Sequence, residues 1–398
     1  MQISDKIKIT MLPAKAGDCI LIEFLKENYH ILIDCGYADT YYNYLKDILA
    51  DLSAKGKRIQ LLVITHIDAD HIRGIQAFLR ENGDADNPVI IGVDEVWYNA
   101  FSQIETEPKQ QGSVSGYLRM VLQGKALQGN INSKSGSHDI SVTQGNTVAE
   151  LLLGHGYHWN ERFMGRAVCT ENVETVMLSD KIRCNLLNPG KEELNQLVNY
   201  WISDMKRNIR NFKIYDDVLY NAAFEGSLVN ISTEEHEREI KNISSSGIQS
   251  SDYRKINIVE WETRIDHSIT NRSSISFLLQ YDDITLLFPG DCPIQLFQEK
   301  LPKYIDVVKL PHHGSWANIS REFIKNTSVS YYLLSTDGEK YGHPSPSVIR
   351  SIMDEAPIPA KIIKNYDLSQ LETIGETEGE ALWTVSYTHL TLPTSDLV

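Results

Sequence analysis

Nothing in this chain supports a disulfide scaffold, a cysteine zinc cluster or a membrane span. Its five cysteines, Cys19, Cys35, Cys169, Cys184 and Cys292, are odd in number, widely spaced and include no CxxC pair, so they read as reduced, mostly buried thiols. No apolar run is long enough to cross a bilayer, and the opening MQISDKIKITMLPAKAGD lacks the apolar core of a signal peptide. These absences lead to the expectation of a cytoplasmic protein with no membrane partner. Positive charge is scarce too: 38 Lys+Arg face 53 Asp+Glu, a formal net charge of -15. Such a balance opposes nonspecific binding to nucleic acid or anionic lipid, so a polyanion would need a local basic patch. There is no GxxxxGK, and no GxGxxG follows a strand, which disfavours nucleotide-driven motors and dinucleotide redox chemistry. Gly112-Ser113-Val114-Ser115-Gly116 is not a nucleophile elbow, because Val114 stands where the serine should be.

What is present is concentrated chemistry. Thr65-His66-Ile67-Asp68-Ala69-Asp70-His71-Ile72-Arg73-Gly74 packs two imidazoles and two carboxylates into one turn. An apolar run at 61–64 reads as a buried strand before it, and 72–80 has helical spacing after it, with Gly74 allowing close backbone approach. A loop at the carboxyl end of such a strand is where α/β sheets gather ligands. The alternative for this loop alone is a capped helix start, with Asp68 or Asp70 as N-cap and the histidines merely exposed.

The rest of the chain reads as two β-rich halves around a polar middle. Strands are expected at 7–10, 19–24, 30–34 and 59–64, with a helix at 41–54. Extended loops are expected around 110–113 and 130–137, and a returning strand at 182–187. Over 192–212, Leu194, Leu197, Val198, Trp201, Met205, Ile209 and Phe212 recur at helical intervals. The opposite side of that helix carries Lys206, Arg207, Arg210 and Lys213, either a solvated face or a phosphate-contacting patch. Residues 225–255 are polar and serine-rich, as in a mobile insertion, and strands resume at 274–280, 284–288, 307–310 and 329–334.

The THIDADHIRG run resembles the HxHxDH signature of metallo-β-lactamase-fold hydrolases, with Asp68 in place of the second histidine. Together with Leu310-Pro311-His312-His313-Gly314-Ser315, it is similar to the hydrolase domain of the DNA-uptake protein ComEC and its free-standing relatives. Further matches in the same order are Ala16-Gly17-Asp18-Cys19, Ile33-Asp34-Cys35-Gly36, Thr270-Asn271-Arg272-Ser273, Phe288-Pro289-Gly290-Asp291 and Tyr341-Gly342-His343-Pro344. The resemblance implies an α/β fold, a four-layer αββα sandwich with a large mid-chain insertion. Residues 1–100 and 261–385 would form its halves, 101–180 a loop-rich insertion, 181–190 a core strand and 191–260 a helical and mobile insertion; 386–398 reads as a non-native tail.

The resemblance also implies a cofactor of two divalent metal ions, zinc or manganese, held by His66, Asp68, Asp70, His71, Asp291 and His312. The extra carboxylate hardens the site and shifts the balance toward manganese. Asp70, His313 and His343 are assigned to catalysis, although sequence alone does not say which of His312 and His313 ligates. His343 is expected either near the substrate or as a structural turn histidine. Asp34 matches a residue that orients the metal loop, and Asn271 stands where many relatives place a metal histidine, so Asn271, Asp266 or nearby His267 is a candidate replacement. Lys206, Arg207 and Arg210 are the weaker substrate-binding candidates.

Two ions about 3.5 to 4 Å apart bring a bridging water to a pKa of about 7, giving hydroxide for in-line attack. The resemblance to the ComEC hydrolase domain, with Asp68, implies that the function is that of a metal-dependent phosphodiesterase or nuclease, with a phosphodiester substrate. The alternatives are hydrolysis of a lactone or thioester with the same hydroxide, and a metal-stabilised interaction module whose insertions bind a protein partner.

Overall fold

Side-chain alternation along the strands decides how the layers stack. Ile31 and Ile33 enter one core and Leu32 another, Leu61 and Val63 separate in the same way from Leu62, and Phe277 and Leu279 from Leu278. Each strand therefore buries both faces, which requires material on both sides of each sheet. The computed structural model describes residues 6–104, 109, 112–131, 147–230, 261, 264–339, 342–368 and 383–385.

One sheet has five strands in the order β1 (Ile7–Met11), β2 (Ile20–Phe24), β3 (Tyr29–Ile33), β4 (Leu61–Val63) and β5 (Val96–Trp97). The other has eight, β6 (Thr175–Met177), β7 (Ile182–Asn188), β8 (Ser276–Tyr281), β9 (Ile284–Phe288), β10 (Tyr304–Lys309), β11 (Ser328–Leu334), β12 (Lys361–Lys364) and β13 (Trp383–Val385), neighbours in that sequence. Ile20, Ile22, Ile31 and Val63 of the first sheet meet Phe277, Leu279, Leu286, Val307 and Leu333 of the second in a core between the sheets.

Helices cover both outer faces. On the five-stranded sheet lie α1 (Ala38–Thr40), α2 (Lys46–Ala54), α3 (Ala69–Asn82), α4 (Gly116–Ile131), α5 (Val148–Gly154) and α6 (Lys191–Asn208), contributing Leu49, Phe78, Leu122, Leu152 and Trp201 among others. The eight-stranded sheet is covered by α8 (Arg321–Asn326) and α9 (Pro346–Glu355), through Phe323, Ile324, Val348 and Ile349. A short helix, α7 (Ile269–Arg272), precedes β8. The order helix, sheet, sheet, helix is the αββα sandwich.

Three stretches differ from the sequence reading. Between the two stretches read as extended loops, 110–113 and 130–137, α4 forms, because Leu118 and Leu122, four residues apart, both reach the helix-covered core. The region read as loop-rich, 101–180, also carries α5, opened by a Thr147–Glu150 capping box, and β6. The basic helix stops at Asn208 because Ile209 turns extended, leaving Arg210 and Phe212 beyond its end, and residues 219–230 are helical where a polar insertion was expected to begin. Residues 110–111, 132–137, 231–260, Tyr341 and the tail 386–398 lie outside the described residues. All five cysteines are buried and unpaired. Among the described residues no helix is long and apolar enough to cross a membrane.

Candidate metal centre

Parallel pairing delivers the functional loops to one edge. Ile33 pairs with Val63, so β3 and β4 end side by side, and the chains leaving them carry Asp34 and Thr65-His66. In the second sheet Leu286 and Leu287 pair in parallel with Val307 and Val308, which sets Asp291 beside Lys309 and the two histidines after it. The two sheet edges meet there, joined by a backbone bond from Ile275 N–H to the Thr65 carbonyl of 2.9 Å.

Close packing of backbone fixes α3 in this edge. A Cβ on Gly17 would fall 1.9 Å from the Asp70 carbonyl oxygen, and one on Gly74 2.0 Å from that of Cys35. No other residue fits at either place, so the loops before β2 and after β3 press directly on the helix that carries Asp70 and His71. Asp34, His312 and His313 all have positive φ, 51°, 43° and 56°. Left-handed backbone at three non-glycine residues of one site stores strain that the surrounding packing holds in place.

Three imidazoles share one arrangement. Asp34 accepts from Thr65 N–H at 2.8 Å and Thr65 Oγ1–H at 2.7 Å, and its Oδ2 also accepts from His71 Nδ1 at 2.8 Å. Having given its proton to Asp34, the Thr65 hydroxyl accepts from His66 Nδ1 at 3.0 Å. His313 Nδ1 lies 2.8 Å from the Ser335 carbonyl oxygen, which can only accept. Each Nδ1 therefore carries the proton and each Nε2 presents a lone pair.

Those three Nε2 atoms are buried and make no hydrogen bond. They converge on one carboxylate oxygen: Asp291 Oδ2 is 3.3 Å from His71 Nε2, 3.5 Å from His313 Nε2 and 4.0 Å from His66 Nε2. Asp68 Oδ2 adds a contact of 3.5 Å to His66 Nε2. Two groups, His66 with His71 and Asp291, and Asp70 with His71 and His313, place their donor atoms within 4.8 Å of one another and could hold a divalent ion. Bare buried nitrogens facing carboxylates are costly in a fold unless a cation satisfies both, so the residues present fit a metal centre.

In a third group of that kind, Asp18, Asp34 and His71, the Asp34 oxygens and His71 Nδ1 are taken up by hydrogen bonds and Asp18 Oδ2 by an ion pair, while the buried Asp18 Oδ1 makes no hydrogen bond. Its Asp18 binds Lys309, which the sequence reading did not assign. Lys309 is 1% exposed, with Nζ on the Asp18 carboxylate, 3.2 Å from Asp291 Oδ1 and 3.2 Å from the Gly290 carbonyl. Burial disfavours its charge, but Asp18 and Asp291 outweigh that and push its pKa up. Burial likewise opposes ionisation of Asp291, and Lys309, His313 and His71 outweigh it, holding that carboxyl well below its ordinary range. A lysine directly after the apolar pair Val307-Val308 at the end of its strand was the only sequence signal for this contact.

The two adjacent histidines, between which the sequence does not choose, differ in whether they join these donor groups. His313, placed in catalysis from sequence, joins Asp70 and His71 in one of these donor groups, whereas His312, placed among the metal ligands, is in none of the groups found among the described residues. Across these two left-handed residues the ring centres lie 5.8 Å apart with their planes at 67°. His312 Nδ1 lies 3.2 Å from Asn318 Oδ1 and 3.5 Å from Asp266 Oδ2. Asp266 is not free to ligate, because its Oδ2 also accepts from Asn271 Nδ2 at 2.7 Å and Asn318 Nδ2 at 2.8 Å. Asn271 keeps a buried Oδ1 without a hydrogen bond. The His343 ring centre is 5.0 Å from that of His312. His267 is exposed and joins none of the clusters found among the described residues, and Lys206, Arg207 and Arg210 are exposed at the end of α6 and beyond it.

Residues 12–130 match the family model of the Metallo-beta-lactamase superfamily. The fold is the metallo-β-lactamase fold. The match spans β2, β3, β4 and the whole histidine–aspartate loop, and it suggests metal-dependent hydrolysis as the general chemistry. No curated protein matches the chain.

Proposed function

We propose that this protein is a metal-dependent phosphodiesterase, with nucleic acid as the leading substrate class. The observation that carries the metal-dependent part is the convergence of three hydrogen-bond-oriented Nε2 atoms on Asp291 Oδ2. In this reading His66, Asp68 and Asp291 would hold one ion and Asp70, His71 and His313, beside the same Asp291, would hold a second, since one imidazole nitrogen binds one ion. The carboxylate-rich set favours manganese over zinc. When bound, divalent ions supply Lewis acidity, ionising water near neutral pH and drawing charge from the bond being cleaved.

The chain's own groups do the rest. Asp34 and the Ser335 carbonyl fix the histidine tautomers, so no reorientation is needed when a cation arrives. His312, braced by Asn318 and Asp266 and close to His343, is placed to donate a hydrogen bond to a substrate oxygen or return a proton to the leaving group. The phosphodiester preference is supported by the resemblance to ComEC-type domains and by Asp68.

Manganese-loaded protein assayed on bis(p-nitrophenyl) phosphate, a thioester and a lactone tests this directly. Turnover of the phosphodiester, abolished by a chelator and by Asp291→Asn, is the expected result. Turnover of the thioester or lactone alone would overturn the substrate class and leave the metal centre standing.

A further inference from the structure

We infer that Lys309 is a built-in cation of the metal centre, a positioning residue that occupies one oxygen of Asp291 and leaves only Oδ2 for divalent ions. This rests on the metal-centre reading above. The ammonium has three N–H groups and three acceptors around it: the Asp18 carboxylate, Asp291 Oδ1 at 3.2 Å and the Gly290 carbonyl at 3.2 Å. No donor is left for a substrate oxygen, and at 1% exposure the group does not reach solvent. Lys309 therefore neither binds substrate nor relays protons. Its work is to hold Asp291.

Two consequences follow from its position. Asp18 precedes β2 in one sheet, whereas Lys309 ends β10 in the other, so the pair fastens the two sheets together where the metal loops meet. Charge gives the second. Asp18, Asp34, Asp68, Asp70 and Asp291 are five buried carboxylates within this region. Two divalent ions neutralise four of them, and the Lys309 ammonium matches the fifth. Before loading, it is the ammonium that keeps Asp18 and Asp291 from repelling each other across the sheet interface. With Oδ1 held, Asp291 cannot rotate to chelate one ion through both oxygens, which keeps it shared between the His66 side and the His71 and His313 side.

The test is Lys309→Met, which keeps the chain length and removes the charge, compared with wild type and with the double variant Lys309→Met/Asp18→Asn. Chelator-treated K309M is expected to melt roughly 5–10 °C below chelator-treated wild type. Added manganese should recover more of that loss than it adds to wild type, and the double variant should regain part of it because one carboxylate has gone with the ammonium. The spin-coupled electron paramagnetic resonance signal of a manganese pair, expected in wild type, should change in K309M as Asp291 turns toward one ion.

An equal manganese-induced shift and an unchanged signal in K309M would overturn the inference. If K309M does not fold, the double variant decides: recovery of folded protein supports the charge argument, and equal failure overturns it. Wild-type protein that takes up no manganese would defeat the metal-centre reading itself. Normal uptake with no difference between wild type and K309M defeats only the role of Lys309.

Discussion

At the scale of single residues, one carboxylate does most of the orienting. Asp34 accepts from His71 directly and from His66 through the Thr65 hydroxyl, so its charge sets two tautomers together. Asp34→Asn places an amide against the His71 Nδ1–H, and manganese affinity should fall by about 10- to 100-fold while the protein stays folded. Calorimetric titration of the ion into the variant measures it, and an unchanged affinity would contradict the orienting role. His312 makes a second prediction. Burial opposes its protonation, but the Asp266 hydrogen bond and the Asp291 charge outweigh it and push its pKa from 6.5 up to about 9. A histidine pKa raised in the fold adds stability that is fully present below pH 6.5 and is lost as the pH rises through about 9. The urea midpoint of metal-free protein should therefore fall across that window, and Asp266→Asn should flatten the fall. An unaltered slope in the variant would rule out this pairing.

At the scale of elements, α3 is the part that must not move. Gly17→Ala would drive a Cβ to within 1.9 Å of the Asp70 carbonyl, so a loss of about 1–3 kcal/mol and a marked fall in manganese affinity are expected. A variant of normal stability and affinity would show that this contact can relax. Glu225, in the helical stretch 219–230, ties the mid-chain insertion to the same helix. Its buried carboxylate accepts from Gln76 Nε2 of α3 at 3.1 Å, Tyr98 OH at 2.9 Å, and the Val148 and Ala149 N–H groups of α5 at 2.8 and 3.4 Å. Glu225→Ala strands those donors away from water and should cost about 1–3 kcal/mol in denaturant unfolding. Metal stoichiometry in that variant should not change, because none of its partners touches the donor cluster.

Much of the whole molecule was legible from sequence, and the reason is local. Strands such as 31–33 and 61–63 are apolar throughout, and the His66 to His71 run carries four donor side chains within six positions, so pattern and motif were enough. What was missed depends on contacts between distant segments. Lys309 and Asp18 are single common residues whose meaning appears only when two sheets bring them together. That His313 is the one with Nε2 3.5 Å from Asp291 Oδ2 depends on two successive left-handed residues that Pro311-His312-His313-Gly314 does not foretell. Helix α4 is hard to read from sequence because glycines at 116, 124 and 129 interrupt its apolar residues, of which Leu118 and Leu122 reach the core. With a net charge of -15, and with Lys206, Arg207 and Arg210 exposed and outside the donor groups, the proposed phosphodiesterase reading needs the metal centre itself to attract an anionic substrate.

Stoichiometry of bound manganese, measured by elemental analysis after equilibrium dialysis of wild type and Asp291→Ala, tests the central claim most directly. The account predicts about two ions per chain in wild type, with both lost or greatly weakened in the variant because both donor groups share that carboxylate. Wild-type protein that binds no divalent ion, or D291A that retains a full complement, would contradict it.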